Sequence, residues 1–239
     1  MRQIVLDTET TGLNPKKGDR IVEIGCVEMI DRKLTGKHYH VYINPERDIP
    51  EEVVAVHGIT NEQVIDSPKF RDIAEELWVF LEGAELVIHN AAFDMGFLNA
   101  EYQLFAKEQN EPFHKLETAC TVLDTLKVAR EKHPGSKVSL DALCKRYGID
   151  NSHRTLHGAL LDSEILADVY LMLTGGQTAL LLDDEATDET REESVDLTVL
   201  TRVNGTLVKV QPSEAELESH QRFIEMLGKK SGKEIHWPN

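Results

Sequence analysis

The chain has 239 residues, 41% of them apolar, with 26 Lys and Arg against 42 Asp and Glu for a net charge of −16. That length and apolar fraction suit one well-cored domain plus an appendage. No stretch approaches the roughly 20 apolar residues of a membrane span, and the first residues lack a signal peptide's apolar core, so a cytoplasmic protein is expected. Cys26, Cys120 and Cys144 lie far apart in apolar contexts and read as reduced thiols packed as small core residues.

Residues 3–8, QIVLDT, form an apolar run ending in a carboxylate, and strand alternation predicts Asp7 and Glu9 on one face. The turn formers Gly12, Asn14, Pro15 and Gly18 predict an exposed loop beside that pair. Two strands are expected at 21–30 and 37–44, joined by a polar turn with Gly36 near its end. Phe70, Ile73, Ala74, Leu77, Phe80 and Leu81 share a helical stripe that stops at Gly83, which makes Trp78 and Phe80 packing residues rather than base-stacking platforms. A short buried strand at 85–88 runs into HNAAFD, so Asp94 should stand in the first turns of a helix, its carboxylate toward the sheet edge. There follow a strand at 118–122, a helix to about Lys132, a loop at Pro134 and Gly135, and a helix opening near Ser139. The last helix of this unit begins near His157 and runs to about Leu173. Asp162 lies five residues beyond His157, about 500° of helix rotation, which puts the histidine at the loop-to-helix junction.

After Leu182 the acidic, aperiodic run DDEATDETREES predicts a flexible tether over 183–196. Alternation around Asn204 and Gly205 predicts a hairpin. Ser213 with Glu216 makes a capping box for a helix whose apolar stripe holds Leu217, Phe223, Ile224 and Leu227. A lone hairpin and a single helix cannot bury a useful core, so 197–239 is expected to fold against a partner.

The chemically telling set is Asp7, Glu9, Asp94 and Asp162 with His157. Four carboxylates gathered at one point would take up protons or push apart unless cations neutralised them. Hard oxygen ligands suit two Mg²⁺ or Mn²⁺ ions, which can hold the attacking and leaving oxygens of a displacement at phosphorus. His157 is then the neutral base available near pH 7 to take a proton from the attacking water. A net negative charge argues against nucleic acid as a partner. Yet residues 1–174 carry 19 Lys and Arg against 29 Asp and Glu, and two such ions would cancel four of those carboxylates. His38 and His40 share a strand face, but with no third ligand nearby they read as surface-strand residues.

In order and spacing, Asp7-x-Glu9, Asn90-x₃-Asp94 and His157-x₄-Asp162 resemble the DEDDh branch of the 3′→5′ exonucleases, over residues 1–174. The related DEDDy branch has a tyrosine where this chain has Gly158. The string Val56–Thr60, VHGIT, resembles a segment of the bacterial proofreading subgroup. The resemblance implies an α/β protein with a ribonuclease H-like mixed sheet flanked by helices, a flexible tether and a small C-terminal docking segment. It implies that Asp7, Glu9 and Asp162 bind two divalent ions, Asp7 bridging, with Asp94 completing the set directly or through water and His157 as general base. It also places Thr10, Gly12, Leu13, Val56, His57, Asn90 and Phe93 around the terminal nucleotide of a DNA 3′ end.

Residues 213–237 resemble the C-terminal segment by which bacterial proofreading subunits dock onto the polymerase (alpha) subunit, with Leu217, Phe223, Ile224, Leu227 and Trp237 as the implied contacts. Residues 175–182, with Gln177, Leu180, Leu181 and Leu182, resemble their sliding-clamp contact. The sequence leaves open a further, small accessory subunit bound to the catalytic domain. The expectation is a proofreading 3′→5′ exodeoxyribonuclease in the bacterial cytoplasm, associated with the nucleoid. A free-standing exonuclease for RNA or oligonucleotide ends, and a non-catalytic polymerase-stabilising module, are the alternatives.

Overall fold

In the computed structural model, residues 1–152, 156–175 and 213–231 are described. The chain divides into two units, Met1–Leu182 and Asp183–Asn239. The first is organised by the β-branched run after Met1, which forms strand β1 (Arg2–Thr10), buried on both faces along most of its length. Ile4 and Leu6 project into one apolar layer and Val5 into the other.

Around β1 the sheet is completed by β2 (Ile21–Ile30), β3 (Lys33–Tyr42), β4 (Glu85–Ile88) and β5 (Thr121–Asp124), in the order β3-β2-β1-β4-β5. The first three strands are antiparallel neighbours, while β4 and β5 run parallel to β1. Parallel neighbours need long crossovers. Helices α1 (Glu51–His57), α2 (Asn61–Val64) and α3 (Phe70–Leu81) lie in the connection to β4, and α4 (Ala91–Gln109) in that to β5. Helices α3 and α4 pack on the Ile4/Leu6 face. On the other face lie α7 (Ala159–Thr174) and, packed with it, α5 (Thr125–Lys132) and α6 (Leu140–Tyr147). The mixed sheet with flanking helices agrees with the fold expected from sequence.

Three boundaries differ from expectation. The β2–β3 turn is made by Asp31 and Arg32, at φ 49° and 65°, a left-handed pair that matches the twist of the strands it joins. Gly36 instead sits inside β3 at φ 82°, where the pairing register shifts between Val27 and Met29 and the chain bulges. The fifth strand starts at Thr121, paired with Glu85, because residues 116–118 form a 3₁₀ turn around the buried Leu116. Helices α1 and α2 were not anticipated. Helix α1 carries three valines, poor helix formers, and α2 has only four residues, although Gln63 Oε1 accepts the Thr60 N–H at 2.8 Å as in a capping box.

Helix α7 is seated directly on β2. A Cβ at Gly25 would stand 2.2 Å from the Ala159 carbonyl carbon and the Leu160 nitrogen. The same glycine's carbonyl accepts the Ser163 hydroxyl at 2.8 Å. All three cysteines are buried.

In the second unit, α8 (Glu214–Ser231) opens on Ser213, whose N–H donates to Glu216 Oε2 at 2.8 Å while its hydroxyl accepts the Glu216 N–H at 3.4 Å. Leu217 and Phe223 are exposed on this helix, and Ile224 is half-buried. The segment 176–182, the Asn204–Gly205 turn, the Leu227 side chain and Trp237 lie outside the described residues. No helix among the described residues is long and apolar enough to cross a membrane.

Gly25→Ala should therefore drive a methyl into helix backbone and cost at least about 1–3 kcal/mol. Urea unfolding followed by circular dichroism checks this, and an unchanged midpoint would contradict the seating described.

Candidate active site

Alternation along β1 puts Asp7 and Glu9 on the face that α7 covers, the same face as Val5. Asp162, in the first turn of α7, has a buried carboxylate, and His157 stands two residues before the helix, its side chain 47% exposed. The His157 N–H is held by the Val56 carbonyl at 3.2 Å. Glu9, His157 and Asp162 each bring one donor atom within 4.8 Å of the others. Within that group His157 Nδ1 lies 3.3 Å from Asp162 Oδ2. The two carboxylates in that span, with Asp7 on the same strand face, make an oxygen donor set that fits a hard divalent cation, and the His157 imidazole stands against it.

Asp94 reaches β1 from the opposite layer and is not part of that three-residue group. It lies near the start of α4, and its Oδ1 accepts both the Thr8 N–H at 3.1 Å and the Thr8 hydroxyl at 2.8 Å. Thr8, between Asp7 and Glu9, thus ties the third acid to the strand carrying the first two. Burial pushes the Asp94 carboxyl up to about 7 against the pull of the Thr8 hydrogen bonds, with Asp124 adding to the rise. A cation nearby would reverse that shift.

The junction presenting Asp94 is itself braced. Asn90 adopts a left-handed φ of 71°, and its N–H donates to Asp124 Oδ1 at 3.2 Å. The same oxygen caps α5 through the Leu126 N–H at 3.0 Å. Asp124 lies two residues past the strand expected at 118–122, and its place as the cap of α5 follows from the strand's end at Asp124.

The residues expected around a terminal nucleotide fall into distinct environments. The Thr10 hydroxyl donates to the Gly12 carbonyl at 2.6 Å, and Leu13 is exposed beyond it. A Cβ at Gly12 would meet the Asp19 carboxylate at 2.5 Å, and that carboxylate is fixed by the Asn14 N–H at 3.0 Å. At the end of α1, Val56 is exposed while His57 is buried. His57 Nδ1 accepts the Ile59 N–H at 3.0 Å, which places the ring proton on Nε2. That nitrogen makes no hydrogen bond of good geometry among the described residues. Burial lowers the His57 pKa, and the Thr10 carbonyl opposes it more weakly. Phe93 packs against Phe97, ring centroids 4.9 Å apart, and supports the wall from the core side. Asn90 is exposed. Leu156, also exposed, was missed by sequence reasoning; its side chain covers Gly58 beside Val56 and His157.

His38 and His40 are exposed strand residues outside the three-residue group, in keeping with the surface-strand reading. Clefts of about 690 and 320 Å³ lie along α3 and α4 and include none of the five catalytic candidates. The acidic group stands where the end of β1 meets the start of α7.

The exonuclease family profile matches residues 4–170. The DNA polymerase III subunit epsilon of Haemophilus influenzae is 45% identical over 246 residues, covering 99% of this chain and 94% of its own. The subunit of that name from Escherichia coli K12 is 46% identical over 235 residues, covering 97% and 95%. Among solved structures, exonuclease X in complex with 5′-overhanging duplex DNA aligns with a TM-score of 0.53 at 28% identity, over 72% of this chain and 90% of its own.

The Asp94 environment has a signed consequence. The folded protein without metal holds this proton up to about pH 7, whereas an unfolded chain ionises it near the ordinary aspartate value of roughly 3.9. The folded state binds more protons within that window, so stability should fall as pH rises through it. Thermal melts in EDTA over the window should show that slope, and Asp94→Asn should flatten it; an identical slope in the variant would contradict the assignment.

Proposed function

The chain belongs to the exonuclease family, among the DNA polymerase III epsilon subunits, and from that premise we propose how its residues remove a mispaired 3′ terminus. It is a metal-dependent 3′→5′ exonuclease that proofreads for a replicative DNA polymerase. The observation that carries the mechanism is the convergence of Glu9, His157 and Asp162 within 4.8 Å at the end of β1.

Asp7, Glu9 and Asp162 would hold two Mg²⁺ or Mn²⁺ ions, with Asp94 completing the acidic set. When bound, such ions supply positive charge at the attacking and leaving oxygens of an in-line displacement. Asp162 orients the His157 ring through the 3.3 Å contact to Nδ1. Proton transfer from the attacking water then runs through Nε2, with His157 as general base. Leu13 and Val56, both exposed and apolar, are assigned to grip the terminal nucleotide, with Thr10 and Gly12 shaping the loop beneath it. His57, Asn90 and Phe93 line or support the pocket. The Val56 carbonyl also holds the His157 N–H, so the pocket wall and the base are set by one segment.

Selection of mispaired ends needs no reading of bases. A mismatched terminus frays more often and so enters a single-strand site more often. The segment Ser213–Trp237 is proposed to dock on the polymerase alpha subunit through Leu217, Phe223, Ile224, Leu227 and Trp237, and Gln177–Leu182 on the sliding clamp. A small accessory subunit on the catalytic domain and a cytoplasmic, nucleoid-associated setting complete the reading. Tethering then makes capture of each new 3′ end intramolecular, at an effective concentration that reaches about mM. The exposed face of α8 supports this reading over a free-standing nuclease, and the presence of Asp7, Glu9, Asp94, His157 and Asp162 in the sequence supports it over a non-catalytic module.

End-labelled single strands, and duplexes with a mispaired 3′ terminus, should lose mononucleotides from the 3′ end with Mg²⁺ and not with EDTA. Asp7→Ala should abolish this release while leaving the fold intact. His157→Ala should lower turnover roughly 10²–10⁴-fold; a negligible loss at neutral pH would remove His157 as the base. Pull-down with the polymerase subunit should fail without residues 183–239, and equal recovery would refute the docking role.

A further inference from the structure

Glu23 is a buried carboxylate that the mechanism above does not use. It lies on β2 directly opposite Glu9 in the β1–β2 ladder and is 3% exposed. Residues so paired project from the same face, their Cβ atoms roughly 4.5–5.5 Å apart, so Glu23 stands beside an assigned metal ligand without belonging to the ligand group. A charge at that depth must be compensated by donors. Both of its oxygens are engaged: Oε2 accepts the Ala159 N–H at 3.0 Å, and Oε1 accepts from His40 Nε2 at 2.7 Å.

Ala159 is the first residue of α7, and its N–H is one of the amides a helix start leaves without an internal acceptor. A carboxylate there also meets the positive end of the helix dipole. Asp162 follows within the same turn, its own N–H bonded to the Gly158 carbonyl at 2.8 Å. Displacement of Ala159 therefore displaces Asp162 relative to Glu9. His40 belongs to the edge strand β3, opposite Gly25, the residue on which α7 is seated. Its ring also packs edge-on to Tyr42 at 5.1 Å, which limits its motion.

We propose that Glu23, held by His40, is a positioning residue for the metal site: it clamps the first turn of α7 to β2 so that Asp162 and His157 meet Glu9. Its two oxygens are occupied by N–H groups and its task is geometric rather than ligating. This rests on the assignment of Glu9 and Asp162 as metal ligands.

The test uses the full chain as wild type, Glu23→Ala, Glu23→Gln and His40→Ala. It reads Mn²⁺ binding by calorimetry without DNA, amide exchange at residues 159–162 in the metal-free protein, and the Mn²⁺ dependence of nucleotide release. Loss of a group that orients a metal ligand costs roughly 10–100-fold in metal affinity, and Glu23→Ala should fall in that range. Its 159–162 amides should exchange faster while the sheet amides stay protected, and excess Mn²⁺ should restore turnover with little change in KM for the DNA end. Glu23→Gln, which keeps one acceptor, and His40→Ala should both weaken Mn²⁺ binding less than Glu23→Ala. Wild-type Mn²⁺ affinity in Glu23→Ala would overturn the proposal; if that variant does not fold, wild-type affinity in both other variants would do so. Absence of Mn²⁺ uptake by the wild type would instead strike the ligand assignment itself, and the clamp with it.

Discussion

Everything at this site depends on how closely the start of α7 approaches β2. A helix normally keeps its distance from a sheet because side chains stand between them, but at Gly25 there is none, and the backbone around Ala159 and Leu160 occupies the space a methyl would fill. Ser163 and Glu23 then fasten the contact on either side, through the Gly25 carbonyl and the Ala159 N–H. Without this approach, Glu9 and Asp162 would sit in separate layers. With it, two acids and an imidazole share one small volume.

That arrangement works against the intrinsic stability of the fold, because like charges are concentrated where water is partly excluded. The structure distributes the strain. Glu23 is held locally by two N–H donors, Asp94 is tied to Thr8 from the other layer, and Asp124 braces the α4 junction while capping α5. The carboxylates left to act on a phosphodiester are those whose charge divalent ions would balance. The acidic net charge thus poses less of an obstacle to nucleic-acid work than its size suggests. An enzyme that grips only a strand end, and is delivered to it by a partner, has little use for a broad basic surface.

The acidic group belongs to the first unit; the second contains a helix whose start is well capped and whose apolar residues Leu217 and Phe223 are exposed. A helix of this kind gains its stability from packing more than from propensity, and under the proposed function that packing is supplied by the polymerase subunit.

Legible in the residues alone were the alternation of β1, the stripe of α3, the short buried β4, the start of α7 after His157, and the identities of the five catalytic candidates. These are local: period, cap and motif spacing lie within a few residues of one another. The sequence did not disclose the Gly36 bulge, because a glycine in a polar run looks the same in a turn as in a strand until its pairing partner is known. Nor did it disclose Glu23, Gly25, Thr8 or Asp124. Glu23 meets Ala159 across 136 residues and Thr8 meets Asp94 across 86, so their roles exist only once strand register and layer packing are set. The tertiary structure decided those contacts, because hydrogen bonds and steric approach depend on distances in space that one chain's local periodicities do not encode.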